Sequence, residues 1–175
     1  MIEKNDIGNI CHEHIEFYSL KSLKYLFENN GLEIFKIEEN EINGGSYRIY
    51  CRKFLKGSIK LQKENIKLMM QKFVKRAKEN KKKMVEFIRN QKKRNKTIYL
   101  YGASTKGNTL LQYYQLDSSD IPYAAERSPE KWNKYTVGSG IKIISENKAR
   151  KLNPNYFLVT PWGFINEFIK REANW

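Results

Sequence analysis

Residues Tyr99 to Leu111 read Tyr-Leu-Tyr-Gly-Ala-Ser-Thr-Lys-Gly-Asn-Thr-Leu-Leu, an apolar strand that passes through a glycine-bracketed turn into the start of a helix. This constrains the fold more than any other stretch. A strand that leads through so short a turn into a helix is the opening of a parallel α/β unit. Gly102 and Gly107 can take backbone angles closed to other residues. The following helix aims unpaired N–H groups and the positive end of its dipole at whatever lies beyond the strand. Ser104, Thr105, Lys106 and Thr109 add hydroxyls and one mobile cation, and Asn108 an amide. The spacing Gly102-x4-Gly107 matches a nucleotide triphosphatase loop, but Asn108 stands where that loop needs lysine. The third glycine of a dinucleotide fingerprint is also missing. The turn therefore reads as an anion pocket without nucleotide hydrolysis, or as a tight turn whose glycines serve packing alone.

The rest of the chain extends this pattern. Strand-like runs at Thr97–Ala103, Tyr123–Glu126, Ile141–Ile144 and Tyr156–Trp162 alternate with helical stretches at Lys106–Gln115, Pro129–Asn133, Ser145–Leu152 and from Phe164 onward. This predicts an α/β fold with a parallel sheet over residues 97–175. Ligands of such sheets lie beyond the carboxyl ends of the strands, so Trp162 is a candidate wall of the same cleft as the glycine turn.

The formal charge of +14 is confined to one segment. Between Arg52 and Lys96 there are 18 Lys or Arg against three acids, and the remainder is close to neutral. In that segment Ile66, Met70, Phe73, Ala77, Met84 and Ile88 recur at helical spacing. A basic helical connector over 54–96, open to a break near Asn80 or Asn90, is the expectation. Its lysines fit a solvated helix face. Nucleic-acid binding is the weaker reading, because no aromatic platform interleaves the charges.

In residues 1–53, Ser19 can cap a helix whose Leu20, Leu23, Leu26 and Phe27 share a face, and Gly31 can end it. Leu32–Glu38 and Tyr47–Arg52 then read as a hairpin joined through Asn43-Gly44-Gly45-Ser46. One helix and one hairpin cannot cover two sheet faces, so this segment looks like the tail of a larger sheet.

Both histidines of the chain fall in Cys11-His12-Glu13-His14. Imidazole titrates near neutrality and can take a proton from a weak carbon or oxygen acid, with the neighbouring carboxylate orienting it. If the segment is extended, His12 and His14 face one way and Glu13 the other. A zinc site of Cys11, His12, His14 and Cys51 needs a distant strand to come close and lacks the usual paired knuckles. Surface histidines that tie down a loop are the third reading. Two cysteines, no apolar run near the ~20 residues of a membrane span, and a start without signal-peptide order make a cytoplasmic protein the expectation.

Cys11–Leu20, Asn29–Phe35, Gly44–Tyr50, Tyr101–Thr109, Glu126–Trp132 and Pro161-Trp162 occur in the order seen in S-adenosylmethionine-dependent sugar C-methyltransferases, which this chain resembles over nearly its whole length. Those enzymes methylate a ring carbon of nucleotide-linked keto-sugars in deoxysugar pathways. The resemblance implies that residues 1–53 are the end of a methyltransferase domain, comprising its active-site loop, a helix and the final hairpin. It implies a Rossmann-like C-terminal domain over 97–175, in a family whose chains normally continue past a point like Trp175. It makes His14 the general base and Glu13 its partner, and places Cys11 and His12 beside the substrate. Cys11 stands where the family commonly has tyrosine. Gly102, Ser104, Thr105, Lys106, Gly107, Asn108 and Thr109 would face the diphosphate of the sugar nucleotide.

No zinc-binding cysteine quartet and no glycine-rich donor loop precede His14. The expectation is that S-adenosylmethionine serves the complete enzyme without binding this chain alone. A gene fragment, or a separate polypeptide carrying the donor domain, would account for this. A non-catalytic sugar-nucleotide-binding or assembly subunit is the alternative.

Overall fold

The computed structural model describes residues 1–40, 45–63, 65–160 and 162–173. An irregular N-terminal segment holds one 3-10 turn, Ile7–Asn9. Helix α1, Leu20–Asn29, starts where the sequence places it. The Ser19 hydroxyl accepts the Ser22 N–H and the Ser22 hydroxyl accepts the Ser19 N–H, a reciprocal cap with serine in the position glutamate usually fills. Past the helix end Gly31 turns the chain at φ +72°.

Strands β1, Leu32–Asn40, and β2, Ser46–Lys53, pair antiparallel with an irregularity between Ile34 and Lys36. Asn43 and Gly44 of the predicted turn lie outside the described residues. Glu33, fully buried, accepts from Arg52 Nε at 2.6 Å and from the N–H groups of Leu55, Lys56 and Gly57 at 3.0, 2.8 and 2.6 Å. The N–H donors, with Leu55 foremost, outweigh burial and bring its pKa down to about 2. One carboxylate thus folds the chain after β2 back onto the hairpin.

The helical part of the connector begins only at Ile66, since residues 54–63 are irregular. Helix α2, Ile66–Lys93, is unbroken, with Asn65 as its cap. Neither Asn80 nor Asn90 interrupts it. The few tenths of a kcal/mol that asparagine costs a helix are outweighed by burial on both sides of Asn80. Phe73 and Ala77 pack with Ile7 of the N-terminal segment, and Ile88, with Met84 beside it, packs on the second sheet. Ile66 and Met70, expected on the same stripe, are exposed.

The second sheet contains β3, Ile98–Tyr101, β4, Tyr123–Glu126, β5, Lys142–Ser145, and β6, Tyr156–Val159. Helix α3, Thr105–Tyr114, follows β3; α4, Glu146–Lys151, follows β5; α5, Ile165–Arg171, follows β6. All strands are parallel, in the order β5-β4-β3-β6. This is the strand order of a doubly wound, Rossmann-like sheet, whose first and fourth strands are neighbours. The predicted helix at Pro129–Asn133 shrinks to a 3-10 turn, Pro129–Lys131, because Trp132 returns to extended backbone and its indole donates to the Glu126 carbonyl at 2.8 Å.

Period-two alternation along β3 supplies both faces. Ile98 and Leu100 enter a core with Ile88, Leu111, Leu116, Ile121 and Ile143, whereas Tyr99 joins Ala125, Ile144 and Ala149 on the opposite side. There α5 is pinned by an ion network. The Arg150 Nε donates to Glu172 Oε2 at 2.8 Å, the Tyr101 hydroxyl donates to Glu172 at 2.5 Å, and Arg171 donates to that hydroxyl at 2.8 Å and to Glu146 at 3.0 Å. Burial, reinforced by Glu172, pushes the Tyr101 pKa up to about 12. Among the described residues no helix is long and apolar enough to cross a membrane.

Candidate functional site

Strands β3 and β6 are neighbours whose connections leave to opposite faces of the sheet, which makes the space beyond their carboxyl ends its topological switch point. Gly102 leaves β3 at φ +85° with its N–H on the Ala125 carbonyl at 2.8 Å. Ser104 caps α3, its hydroxyl accepting the Gly107 N–H at 3.1 Å. A Cβ on Gly107 would stand 2.6 Å from the Thr160 hydroxyl oxygen, so glycine is what lets the first turn of α3 approach the end of β6. Among the described residues the buried Thr160 Oγ1 has no hydrogen-bond partner, nor has the Asn108 Oδ1. Thr109 turns its hydroxyl back to the Thr105 carbonyl at 3.2 Å. Trp162, partly exposed, opens the turn that follows β6.

The N-terminal segment lies against this helix start. Gly8 packs so closely on Lys106 that an added Cβ would be 3.0 Å from that residue's Cβ and carbonyl oxygen. Buried Asp6 accepts from Asn9 Nδ2 at 2.6 Å through Oδ2, and the Lys106 Nζ lies 4.0 Å from that same oxygen. The His14 Nδ1 is 2.8 Å from the Asn9 carbonyl. The Thr105 hydroxyl donates to Glu13 at 3.3 Å. Residues 92 positions apart in sequence therefore meet, and the histidine loop and the glycine turn form one surface.

The loop is not extended. His14 N–H bonds the Cys11 carbonyl at 3.0 Å, so the chain turns there and the two-residue alternation expected for His12 and His14 lapses. His12, Glu13 and His14 are exposed, and Cys11 is a buried free thiol. Among the described residues no group of three or more His, Cys, Asp or Glu could hold a metal ion.

Several residues in this arrangement had no role assigned from the sequence, although Glu126 and Lys131 lie in the Glu126–Trp132 stretch of the resemblance. Glu126, at the carboxyl end of β4, accepts the Ala103 N–H at 2.9 Å and the Ser128 N–H at 3.0 Å, with the Lys131 ammonium 3.7 Å away. Burial raises its pKa, but these donors and Lys131 outweigh it, and the net shift is downward. Lys131 also donates to the Ala103 carbonyl at 3.2 Å, so two side chains hold the glycine turn from the β4 side. Asp6, Asn9 and Thr160 act through tertiary neighbours that no short motif encodes.

In dinucleotide-type sheets the acid at the end of the second strand receives a ribose. Here both Glu126 oxygens are already engaged by backbone donors. Glu126 is thereby committed to holding the turn, and the turn lacks the glycine fingerprint of dinucleotide sites. A separate apolar groove of about 680 Å³, lined by Met84, Phe87, Tyr156 and Leu158 among others, runs between α2 and β6 and contains none of the residues above.

Residues 41–175 match the model of a family described as the C-methyltransferase C-terminal domain. Over 98% of its length the chain is similar to a C-methyltransferase of Streptomyces niveus, NovU, at 27% identity, and it spans 44% of that relative. With the matched region reaching from the hairpin through the whole parallel sheet, this chain belongs to the C-methyltransferase family, in its C-terminal domain.

Proposed function

We propose that the chain supplies the base-bearing loop and the substrate-gripping lobe of an S-adenosylmethionine-dependent enzyme that methylates a ring carbon of a nucleotide-linked keto-sugar. The contact between Glu13 and Thr105 carries this reading, because it puts the histidine loop and the glycine turn on one surface. A sugar lying across that surface would bring the carbon beside its ketone to His14 and its diphosphate to the start of α3.

The chemistry follows from the groups present. A ketone acidifies the adjacent C–H, and His14 takes that proton as the C–H bond breaks. The electron pair left on carbon is shared with the ketone oxygen as an enolate. Glu13 orients the sugar or the imidazole, with Cys11 and His12 flanking. At the turn, Lys106 and the N–H groups of the first turn of α3 meet the diphosphate, and Ser104, Thr105 and Thr160 supply hydroxyls. S-adenosylmethionine, the source of the methyl group, is held outside the parallel sheet in this reading, in the larger part of the enzyme that the relative's length implies.

Calorimetric titration of the chain with a thymidine diphosphate sugar tests the assignment. Lys106→Ala is expected to weaken binding roughly ten- to 150-fold, the range for one charge-assisted hydrogen bond. Equal affinity of the two proteins refutes the anion pocket. Adding a donor-bearing methyltransferase chain and S-adenosylmethionine then separates the two roles. Methyl transfer that disappears in His14→Ala supports catalysis, and transfer that persists makes the chain a binding subunit.

A further inference from the structure

We propose that the Asp6–Asn9 turn is a positioning device that fixes the tautomer of His14, with the proton on Nδ1 and the free electron pair on Nε2, so that Nε2 is the atom that accepts a proton. The assignment of an atom rests on the reading of His14 as a base; the tautomer itself does not.

The inference starts from an asymmetry in hydrogen-bond chemistry. A carbonyl oxygen only accepts, so the 2.8 Å contact between His14 Nδ1 and the Asn9 carbonyl exists in a neutral imidazole only when Nδ1 carries the hydrogen. Neutral histidine free in water prefers the other tautomer, with hydrogen on Nε2. The contact therefore works against the intrinsic preference. One hydrogen bond of ordinary net strength shifts such a ratio by roughly two- to twelvefold.

What holds the carbonyl in place is equally specific. The Asn9 side chain is tied to buried Asp6 at 2.6 Å, and the 3-10 turn Ile7–Asn9 between them presses Gly8 onto Lys106. The main-chain oxygen of Asn9 is thus fixed to the start of α3, the same helix that presents the glycine turn. His14 itself is exposed, with Phe17 edge-on at 6.0 Å between ring centres. Among the described residues, this polar contact and that ring are what orient it. Orientation of a catalytic imidazole through its second nitrogen is the usual way an enzyme selects which nitrogen reacts. Here the orienting group is a backbone oxygen, and Asp6 acts one step removed.

The chain has only two histidines, which makes a direct measurement practical. Long-range nitrogen–proton correlation spectra of the labelled full chain, recorded above the imidazole titration, distinguish protonated from unprotonated ring nitrogens, and His12→Gln assigns the two sets. His14 is expected to show a protonated Nδ1 and an unprotonated Nε2, with His12 showing the opposite pattern of a free ring. In Asn9→Ala, which keeps the carbonyl but cuts the tie to Asp6, the His14 ratio is expected to move two- to twelvefold toward the free pattern. Asp6→Asn, which retains an acceptor for Asn9, is expected to keep most of the wild-type ratio. A His14 that carries its hydrogen on Nε2 in the wild-type chain overturns the proposal without any variant. A wild-type ratio unchanged in Asn9→Ala removes the positioning role from Asp6. Neither outcome touches the anion pocket, which the calorimetric test of Lys106 decides on its own.

Discussion

Replacing Gly107 by alanine separates two opposing effects at the switch point, and the structure gives the size of each. In a helix, alanine is favoured over glycine by up to about 1 kcal/mol. Against this, the new methyl group would lie 2.6 Å from the Thr160 Oγ1, 3.3 Å from the Ser104 Oγ and 3.4 Å from the Thr160 Cβ. Rotating Thr160 offers little relief. Its side chain is β-branched and buried, so one of its two other staggered rotamers puts the larger methyl group in the oxygen's place and the other must reseat both branches in packed surroundings. Overpacking of this kind typically costs about 1–3 kcal/mol, and the net expectation is a destabilisation of about 1 kcal/mol. In a Thr160→Ala background the closest atom is gone, so the same substitution becomes neutral or stabilising. The coupling energy between the two positions is then on the order of 1–3 kcal/mol. Urea unfolding of the four proteins of this cycle, followed by circular dichroism, measures it. A coupling below about 0.5 kcal/mol, within the scatter of non-interacting sites, refutes the idea that glycine is required here by the end of β6.

Two further expectations concern the rest of the fold. The folded pKa of Glu33, about 2, lies below its ordinary 4.5, so this carboxylate stabilises the protein above pH 4.5 and that contribution is lost as pH falls toward 2. Melting curves of Glu33→Gln should therefore start lower at pH 7 and converge on the wild type across that window; parallel curves would show that the loop clasp contributes nothing. Arg150→Ala removes the fork that holds Glu172, a partly exposed ion pair worth about 1–2 kcal/mol between the exposed and buried limits. Amide exchange in α5 should accelerate roughly five- to thirtyfold, and unchanged protection there would mean that the Phe168 ring packing alone secures the helix.

The elements that sequence revealed share a common property: their signals are local. Ser19 and Gly31 bound α1 through contacts within four residues. The alternation of β3 and the glycines after it describe a strand, a turn and a helix whose hydrogen bonds lie close in the chain. The misjudged features depend on distant partners. Whether α2 continues through Asn80 is decided by what Ala77 and Met84 touch on either side of it, and those contacts belong to separate parts of the chain. The histidine loop is similar. Its residue types suggested acid–base chemistry, but its turned shape and its seat on α3 come from Asp6, Gly8 and Asn9, ordinary residues until Lys106 lies beside them. Thr160 is the extreme case, a threonine at a strand end whose position matters because residue 107 has no side chain.

The continuity of α2 has a consequence of rotational phase. Phe73 and Ala77 grip the N-terminal segment, Met84 and Ile88 grip the parallel sheet, and only six residues separate the two grips. Each helical residue advances the direction of its side chain by roughly 100° and the axis by about 1.5 Å. One residue added near Asn80 would swing one grip about a quarter-turn from its seat, whereas seven added residues would nearly restore the angle while lengthening the rod by about 10 Å. The rod thus keys the histidine loop to the glycine turn by angle as much as by distance. Exposed lysines on the rod can change without turning either grip, whereas the count of residues between the grips cannot.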